Sequence, residues 1–454
     1  MSERRAILRG AGVSLILQVA NLGLAYLGTA VLVRALSPAE FGVYGFMLSL
    51  VTVLVLPAQF GVPTLVIRET ASGRQTGDYG AAKGLLIRSN QFALGSAIVL
   101  GLGALAVGAL MPDLRPRLPI LVWALATLPL LALTAIRGAA LRGLGRVIAG
   151  QWPDLALKPA LGLLLVAVAA PSAVPRLAAI CQMFGLRLPP PRLDASTAMA
   201  LNLTATAVAF LAGLWLLWRY MPAGLRQARA RFETRRWAAS AIPLGIGAGI
   251  AVVNVQIAVL LMGVLGRPPA EIGEYRLVAQ TAMLAALGYT AVIATLSPRF
   301  AAANTAGDRG ALQRAATLGA VLSTLVCLPF ALLFLAVGGP MLALVFRPEA
   351  AVGGWALGIL GLAQLFNAAM GCAAALLNMS GHERDFTISS AAGLLAQAIL
   401  ALALIPAFGL AGAAIASTVG VAVSNLLLWR YARLRLGVET AIWGWGRRSS
   451  APPL

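Results

Sequence analysis

The chain has 454 residues, 60% of them hydrophobic and only 11% charged, with a formal net charge of +20 and a mean hydropathy of +0.87. Soluble domains carry about 25% charged residues, so this composition excludes a soluble globular protein and marks an integral membrane protein. The basic surplus does not point to nucleic acid: the Arg and Lys residues stand in short polar gaps between apolar runs, and no basic stripe is interleaved with aromatics on which bases could stack.

At about 20 apolar residues per span, the pattern predicts helices near 11–33, 41–63, 90–111, 118–140, 150–170 and 198–219, then near 238–264, 275–298, 315–338, 352–376, 386–406 and 410–430. The expected fold class is all-α and polytopic, with about twelve transmembrane helices in two six-helix lobes. The lobes are 1–219 and 238–431, joined by a basic linker at 220–237 and followed by a basic tail at 432–454. Basic residues collect in alternate gaps, which by the positive-inside rule puts both termini in the cytoplasm.

The chain opens with Arg4, Arg5 and Arg9 ahead of an apolar run too long for a signal core, so this reads as an uncleaved first span. That span carries Gln18, Asn21 and Tyr26 but no acid, and ends at Arg34. Next comes the hinge Pro38-Ala39-Glu40-Phe41-Gly42-Val43-Tyr44. It recurs about 231 residues later as Pro269-Ala270-Glu271-Ile272-Gly273-Glu274-Tyr275. Arg68 and Arg299 repeat at the same offset, and Gly77-Asp78-Tyr79-Gly80-Ala81 is echoed by Gly307-Asp308-Arg309-Gly310-Ala311. Such echoes read as two copies of one unit, parallel in the membrane with both hinges on the outer side. Glu40 and Glu271 are expected to cap the helices that follow them, since a carboxylate is favoured near a helix amino terminus.

Intramembrane charge is costly enough to be a functional candidate by default. Arg137 and Arg142 lie at the end of the fourth span, and Arg276 begins the eighth. Asp154 and Lys158 stand four residues apart in the fifth, where one helical turn would let them pair. Facing inward, Arg34, Arg137, Arg142, Lys158 and Arg276 would make a cationic cavity suited to a phosphate-bearing substrate. Snorkelling to headgroups is the competing reading. It is favoured for Arg34, Arg142 and Arg276 at span ends and less so for the deeper Arg137 and Lys158. Gln18 and Asn21 would add polar lining, and Asp154 is the candidate for binding a coupling ion.

Prolines at 57, 129, 159, 243, 298 and 329 interrupt spans, through functional bends or ordinary packing kinks. The gap at 171–197, with Pro189-Pro190-Pro191, reads as a partly extended outer insertion. The arginines of the linker read as an amphipathic helix on anionic lipid, and the tail from Arg430 as disordered. Cys181, Cys327 and Cys372 have no metal or disulfide spacing, and His382 lies in a polar turn without a second metal donor. No nucleophile elbow, zinc spacing or phosphate loop is present, so no catalytic or metal residue is assigned and no cofactor is expected beyond proton or sodium coupling.

Leu36-Ser37-Pro38-Ala39-Glu40-Phe41-Gly42-Val43-Tyr44 resembles the hinge signature of the Wzx-type oligosaccharide flippases, bacterial polysaccharide exporters of the MOP superfamily that are related to the lipid II flippase MurJ and the MATE drug exporters. Ala140-Leu141-Arg142-Gly143-Leu144-Gly145-Arg146, Ala375-Leu376-Leu377-Asn378-Met379-Ser380-Gly381-His382-Glu383-Arg384 and Phe408-Gly409-Leu410-Ala411-Gly412-Ala413-Ala414 resemble that family's turns after the fourth and tenth spans and its start of the twelfth. The resemblance implies two rocking lobes of six helices in the bacterial inner membrane, moving an undecaprenyl-diphosphate-linked oligosaccharide between leaflets. The implied partners are that lipid-linked substrate, membrane lipids, and a glycan polymerase with its chain-length regulator. MurJ-like proteins carry two further helices, and MATE antiporters usually place an acid in a lobe, often on the first span, where this chain has Gln18 and Asn21. The alternatives are a MATE-like drug/cation antiporter and a polytopic glycan polymerase or glycosyltransferase.

Overall fold

A computed structural model of the protein describes residues 3–110, 112–173 and 193–444. Cys181, the triple proline at 189–191, most of the 171–197 insertion and the tail from 445 lie outside the described residues. Those residues contain twelve helical segments long and apolar enough to cross a membrane. The chain divides into two compact units, Met1–Val252 and Val253–Leu454.

In the first unit the order is α1 (Glu3–Ala35), α2 (Pro38–Gln59), α3 (Val62–Thr76), α4 (Gly80–Leu110), α5 (Leu118–Gly143), α6 (Val147–Trp152), a π-turn at Pro153–Leu157, α7 (Lys158–Ala169), α8 (Ala195–Tyr220), α9 (Ala223–Gln227) and the first part of α10 (Thr234–Val264). The second unit holds the rest of α10, then α11 (Pro269–Thr305), α12 (Arg309–Val345), α13 (Gly354–Ala369), α14 (Ala373–Met379), α15 (Glu383–Phe408) and α16 (Leu410–Leu436). Several helices outrun the apolar segments that announced them. α4 starts at Gly80, ten residues before the expected 90, because a helical backbone satisfies its own hydrogen bonds equally well past the hydrocarbon boundary.

α5 is the axis of the first unit. It packs against α2, α3, α4 and α8, while α1 lies along α6, the π-turn and α7. Its buried positions include Ala124, Leu128, Ala132, Ile136, Ala139 and Ala140, a run of small and aliphatic residues at helical spacing that allows close helix approach. In the second unit α15 packs along α16, and α13 packs on α12 and α16. Buried Leu296, Phe300, Leu376, Leu377 and Leu428 form its core at one end.

The hinge glutamates do not cap the helices that follow them. Ser37 caps α2, its Oγ accepting from the Glu40 N–H at 3.2 Å. Its side chain thus released, Glu40 instead accepts from the N–H of Ala195 at 2.6 Å, the first residue of α8. Glu271 does the same in the second unit, accepting from the N–H of Leu410 at 2.5 Å, the first residue of α16. Within each unit the second span is therefore clasped to the amino end of the sixth, where unpaired N–H groups and the helix dipole favour a carboxylate. Glu271 also pairs with Arg267 at 2.8 Å. Gly409, at φ +53°, makes the contact sterically feasible: a Cβ there would stand 1.9 Å from Glu271 Oε1.

The other echoes are structural as well. Gly77 and Gly307 have φ of +78° and +65°, and each is followed by an aspartate that caps the next span. Asp78 accepts from Gly80 N–H at 2.9 Å and Asp308 from Ala311 N–H at 2.8 Å. The Gly80 N–H, with help from Arg231, holds the Asp78 carboxyl below its ordinary range. The turns at Gly145 and Gly381 also match. Each glycine has positive φ, and the next N–H reaches back five residues, Arg146 to Leu141 and His382 to Leu377, as in a Schellman termination.

Two regions, one expected to lie on the lipid surface and one expected to be disordered, pack on the protein. The 220–237 linker lies against the start of α4: the Arg231 N–H donates to Gly80 O at 2.9 Å, Arg231 pairs with Asp78 at 3.0 Å, Lys83 donates to Arg226 O at 2.6 Å, and Leu225 is buried. Arg226, Arg231 and Arg236 bond to groups of the protein, so the segment is not simply a lipid-surface helix. The described part of the tail, through Gly444, is packed on the second unit. α16 continues to Leu436, and Glu439 exchanges backbone bonds with the Gln313 amide, donating at 2.8 Å and accepting at 2.8 Å. Its carboxylate also accepts from Trp429 Nε1. Arg435, read as part of a basic tail, forms an ion pair at 3.0 Å with buried Asp385.

Kinks and breaks follow some prolines and not others. α12 leaves helical geometry at Val337 (φ −134°, ψ 24°), just before Pro340, which cannot donate to residue 336. α2 ends two residues past Pro57, at Phe60 (φ 20°) and Gly61 (φ +72°). At the matching place in the second unit α11 runs unbroken.

Glu40→Ala and Glu271→Ala should each lower stability by about 1–3 kcal/mol, the value of a charge-assisted bond to a helix end. Ser37→Ala should cost about 1 kcal/mol or less for its exposed cap. Thermal unfolding of the purified variants in detergent, scored by loss of the monodisperse peak, checks the order.

Candidate functional site

Charged side chains converge where α5 ends and the fifth span begins. Gly138 and Gly150 bring α5 and α6 almost into backbone contact: a Cβ on Gly138 would stand 2.8 Å from Gly150 O, and one on Gly150 would stand 2.7 Å from Gly138 O. The chain then widens into the π-turn at 153–157, a local insertion frequent at functional sites. This turn carries Asp154.

Asp154 pairs with Arg137, whose Nη2 lies 3.3 Å from both carboxylate oxygens. The expected partner was Lys158. The π-turn explains the difference: the Lys158 N–H bonds to Pro153 O, five residues back, so residues four apart no longer stack on one face. Lys158 and Arg142 act on Asp154 through space.

Arg137 is only 3% exposed, Asp154 30%. The other guanidinium arm reaches α8, with Nη1 donating to Phe210 O at 2.7 Å and Ala209 O at 3.3 Å and the Phe210 ring centroid 5.7 Å away. The arginine fits because residue 213 is glycine: a Cβ there would fall 2.1 Å from the guanidinium carbon. Arg137 thus ties the fourth, fifth and sixth spans together. Three buried polar atoms in the cluster, Arg137 Nε, Arg142 Nε and Gln151 Oε1, have no hydrogen-bond partner.

Beside the Arg137–Asp154 pair, Arg142 and Lys158 lie near enough to act on the carboxylate through space, so by formal charge three basic side chains accompany one acid. Arg137 has committed both terminal nitrogens to the protein. Arg142 and Lys158, both half-buried, therefore carry the charge that could meet an anion.

The remaining expected site residues lie apart from this cluster. Arg34 is half-buried at the end of α1 nearer the Glu40 clasp, at the opposite end of the unit from Arg142. Arg276 is half-buried in α11 of the second unit. Gln18 is exposed and Asn21 half-buried on α1, the helix that flanks α6 and α7. Phe210 O, Ala209 O and Gly213 were not foreseen. Backbone carbonyls and a missing side chain leave no signature in composition, and the one available signal was Gly213, the single glycine of α8.

This two-unit helical architecture is the fold of MATE family transporters of the MOP superfamily. An inward-facing multidrug-resistance MATE transporter superimposes with a TM-score of 0.75 at 14% identity, covering 93% of this chain and 98% of that one. An outward-facing one gives 0.60 at 15% identity, covering 95% of each. A MOP superfamily transporter from Pyrococcus furiosus, reported to have a binding pocket of reversed polarity, gives 0.62 at 16% identity over 95% of both chains. In sequence, residues 7–151 match the family described as Polysaccharide biosynthesis protein, a stretch that includes Arg137 and Arg142. No curated protein sequence matched the chain.

Removing either partner alone should be destabilising, because breaking a buried pair leaves a charge uncompensated at a cost of about 3–5 kcal/mol. Asp154→Leu, which leaves the 3%-exposed Arg137 and two more cations without a carboxylate, should lower the unfolding temperature more than Arg137→Leu, which leaves a partly exposed Asp154 with Arg142 and Lys158 still beside it. The double variant should be more stable than Asp154→Leu. Unfolding of all three in one detergent checks this, and strictly additive losses would remove the pair from the account.

Proposed function

We propose that the protein moves an undecaprenyl-diphosphate-linked oligosaccharide across the bacterial inner membrane by alternating access, with both termini in the cytoplasm, for surface polysaccharide biosynthesis. The observation that carries this reading is the cluster of Arg137, Arg142 and Lys158 around one carboxylate. A diphosphate is a compact anion, and an excess of positive charge held within an apolar span is what would draw it from the headgroup layer. The match of 7–151 to a polysaccharide-biosynthesis family and the transporter fold support it.

In this reading Arg137 is a positioning residue that fixes Asp154 and braces α8. Arg142 and Lys158 meet the diphosphate, and the lipid tail stays in the bilayer. The residues 1–219 and 238–431 are the bodies that move, and Asp154 is the group available to a coupling proton or sodium ion. A glycan polymerase and a chain-length regulator would act on the exported unit.

A drug/cation antiporter is the second reading, favoured by two observations: the fold is shared with multidrug transporters, and Asp154 is a carboxylate within a span. The two readings differ in charge. An organic cation would be repelled by a site with three cations to one anion.

Deleting the gene should trap lipid-linked repeat units on the cytoplasmic leaflet and abolish surface glycan. Arg142→Gln and Lys158→Gln should each cut export about tenfold or more, the effect of losing one charge-assisted bond of ~1.5–3 kcal/mol, with normal membrane abundance. Surface glycan unchanged in the deletion strain, together with new sensitivity to cationic compounds, would favour the antiporter.

A further inference from the structure

The main chain that leaves the sixth span of each set is tied to the third span, and the two ties differ in charge. In the first unit Lys83 Nζ of α4 donates to Arg226 O at 2.6 Å. In the second, about 230 residues later (313 minus 83), Gln313 of α12 donates to Glu439 O at 2.8 Å. This is the offset of the Gly-Asp echoes, so the two residues are counterparts. A neutral amide suffices for the tie, and the charge of Lys83 exceeds what anchoring requires. The tied residues contrast likewise. Glu439 gives its carboxylate to Trp429 Nε1, whereas the Arg226 side chain donates to Trp218 O and stacks 5.3 Å over the Trp218 ring.

Beside the first tie, α4, the end of α8 and α9 enclose a groove of about 380 Å³, lined among others by Lys83, Ile87, Asn90, Trp218, Met221 and Arg226. That volume is within the range of ligand sites. Lys83, Ile87 and Asn90 share one face of α4 at helical spacing. The described residues lining the groove all belong to the first unit.

Both cations of the groove are accessible: Lys83 is half-buried and Arg226 exposed. An ammonium has three N–H groups and a guanidinium five, and each spends one on a backbone carbonyl. No carboxylate is among the described residues that line the groove. Asp78, the acid nearest Lys83 in sequence, pairs with Arg231 at 3.0 Å, and among the described residues neither Lys83 nor Arg226 has an acidic partner. Away from the two cations the walls are largely apolar. Exposed Leu94 and Ile98 continue the face of Ile87 along α4, and exposed Leu211 and Trp215 continue that of Trp218 along α8, on surface that meets hydrocarbon.

We propose that this groove binds one anionic phospholipid of the surrounding leaflet, its phosphate oxygens accepting from Lys83 Nζ and the Arg226 guanidinium, its acyl chains lying along Ile87 and Trp218. Two cations without acidic partners at the edge of the hydrocarbon favour an anionic over a zwitterionic headgroup. The apolar walls continuing down both helices fit a lipid and not a free phosphate. The bound lipid would brace the segment after α8 against α4, where the second unit relies on protein groups alone. This assignment does not depend on what the protein transports.

Native mass spectrometry of the purified full-length chain tests it, after incubation with phosphatidylglycerol, with phosphatidylcholine of matched chains, or with a polyprenyl phosphate. The wild type should retain one phosphatidylglycerol in preference to phosphatidylcholine. Lys83→Gln installs the residue of the second unit, so it should keep the tie and the lipid-free melting temperature while lowering phosphatidylglycerol retention about fivefold. Arg226→Gln should do the same, and the double variant should lose about 25-fold. Arg235→Gln, at an exposed arginine outside the groove, should retain lipid as the wild type does. Equal retention of the two phospholipids, or undiminished phosphatidylglycerol binding in the double variant, would overturn the proposal. An equal loss in Arg235→Gln would replace the site with diffuse surface attraction. Displacement of phosphatidylglycerol by stoichiometric polyprenyl phosphate would assign the groove to a polyprenyl carrier instead.

Discussion

Each unit is closed by a single carboxylate on the amino end of a helix. Glu40 holds Ala195 and Glu271 holds Leu410, joining the second span of a set of six to the last. In hydrocarbon, apolar packing gives little preference for one helix neighbour over another, because lipid tails are as apolar as leucine. Directional contacts at span ends must supply the preference. A helix amino terminus presents unpaired N–H groups and a partial positive charge, and a glutamate one span away is long enough to reach it. The neighbouring features follow from this clasp: Ser37 takes over the capping of α2, and residue 409 is glycine because any Cβ would displace the carboxylate.

The charged cluster depends on the same economy of small residues. Gly138 against Gly150 brings α5 and α6 together, Gly213 leaves room for a guanidinium, and the π-turn turns Asp154 toward Arg137 and away from Lys158. A charge in a span is expensive unless paired. Arg137 meets that condition through one carboxylate and two backbone carbonyls. Once Arg137 and Asp154 have answered each other, Arg142 and Lys158 are left as surplus cations. A structural ion pair and a candidate anion site therefore occupy the same few residues, and the first positions the second.

Much of this was legible in the chain. The repeat of Pro38-Ala39-Glu40 at Pro269-Ala270-Glu271 named the glutamates of the clasp, because a motif recurring at a polar boundary of two equivalent spans marks equivalent geometry. The Gly-Asp-x-Gly-Ala echoes and the Gly145 and Gly381 turns became matched caps and terminations. Partners were misread where secondary structure departs from the regular helix. An α-helical ruler pairs Asp154 with Lys158, and a single π-turn invalidates it. Composition read the linker at 220–237 as a helix on the lipid surface and the tail from Arg430 as disordered, yet Arg231, Glu439 and Arg435 each have protein partners far away in sequence. Charge content cannot say whether an arginine faces lipid headgroups or an aspartate of a distant helix.

By itself the sequence determined the number of spans, their boundaries to within about ten residues, the internal repeat and the identity of the costly charges, because hydrophobic length and residue periodicity are local properties. Only the tertiary structure decided which helix end each glutamate caps, which cation Asp154 keeps, and which arginines of the linker and tail find acidic partners. Those outcomes turn on distances between residues far apart in the chain, on backbone carbonyls that every sequence possesses, and on the space glycines leave open.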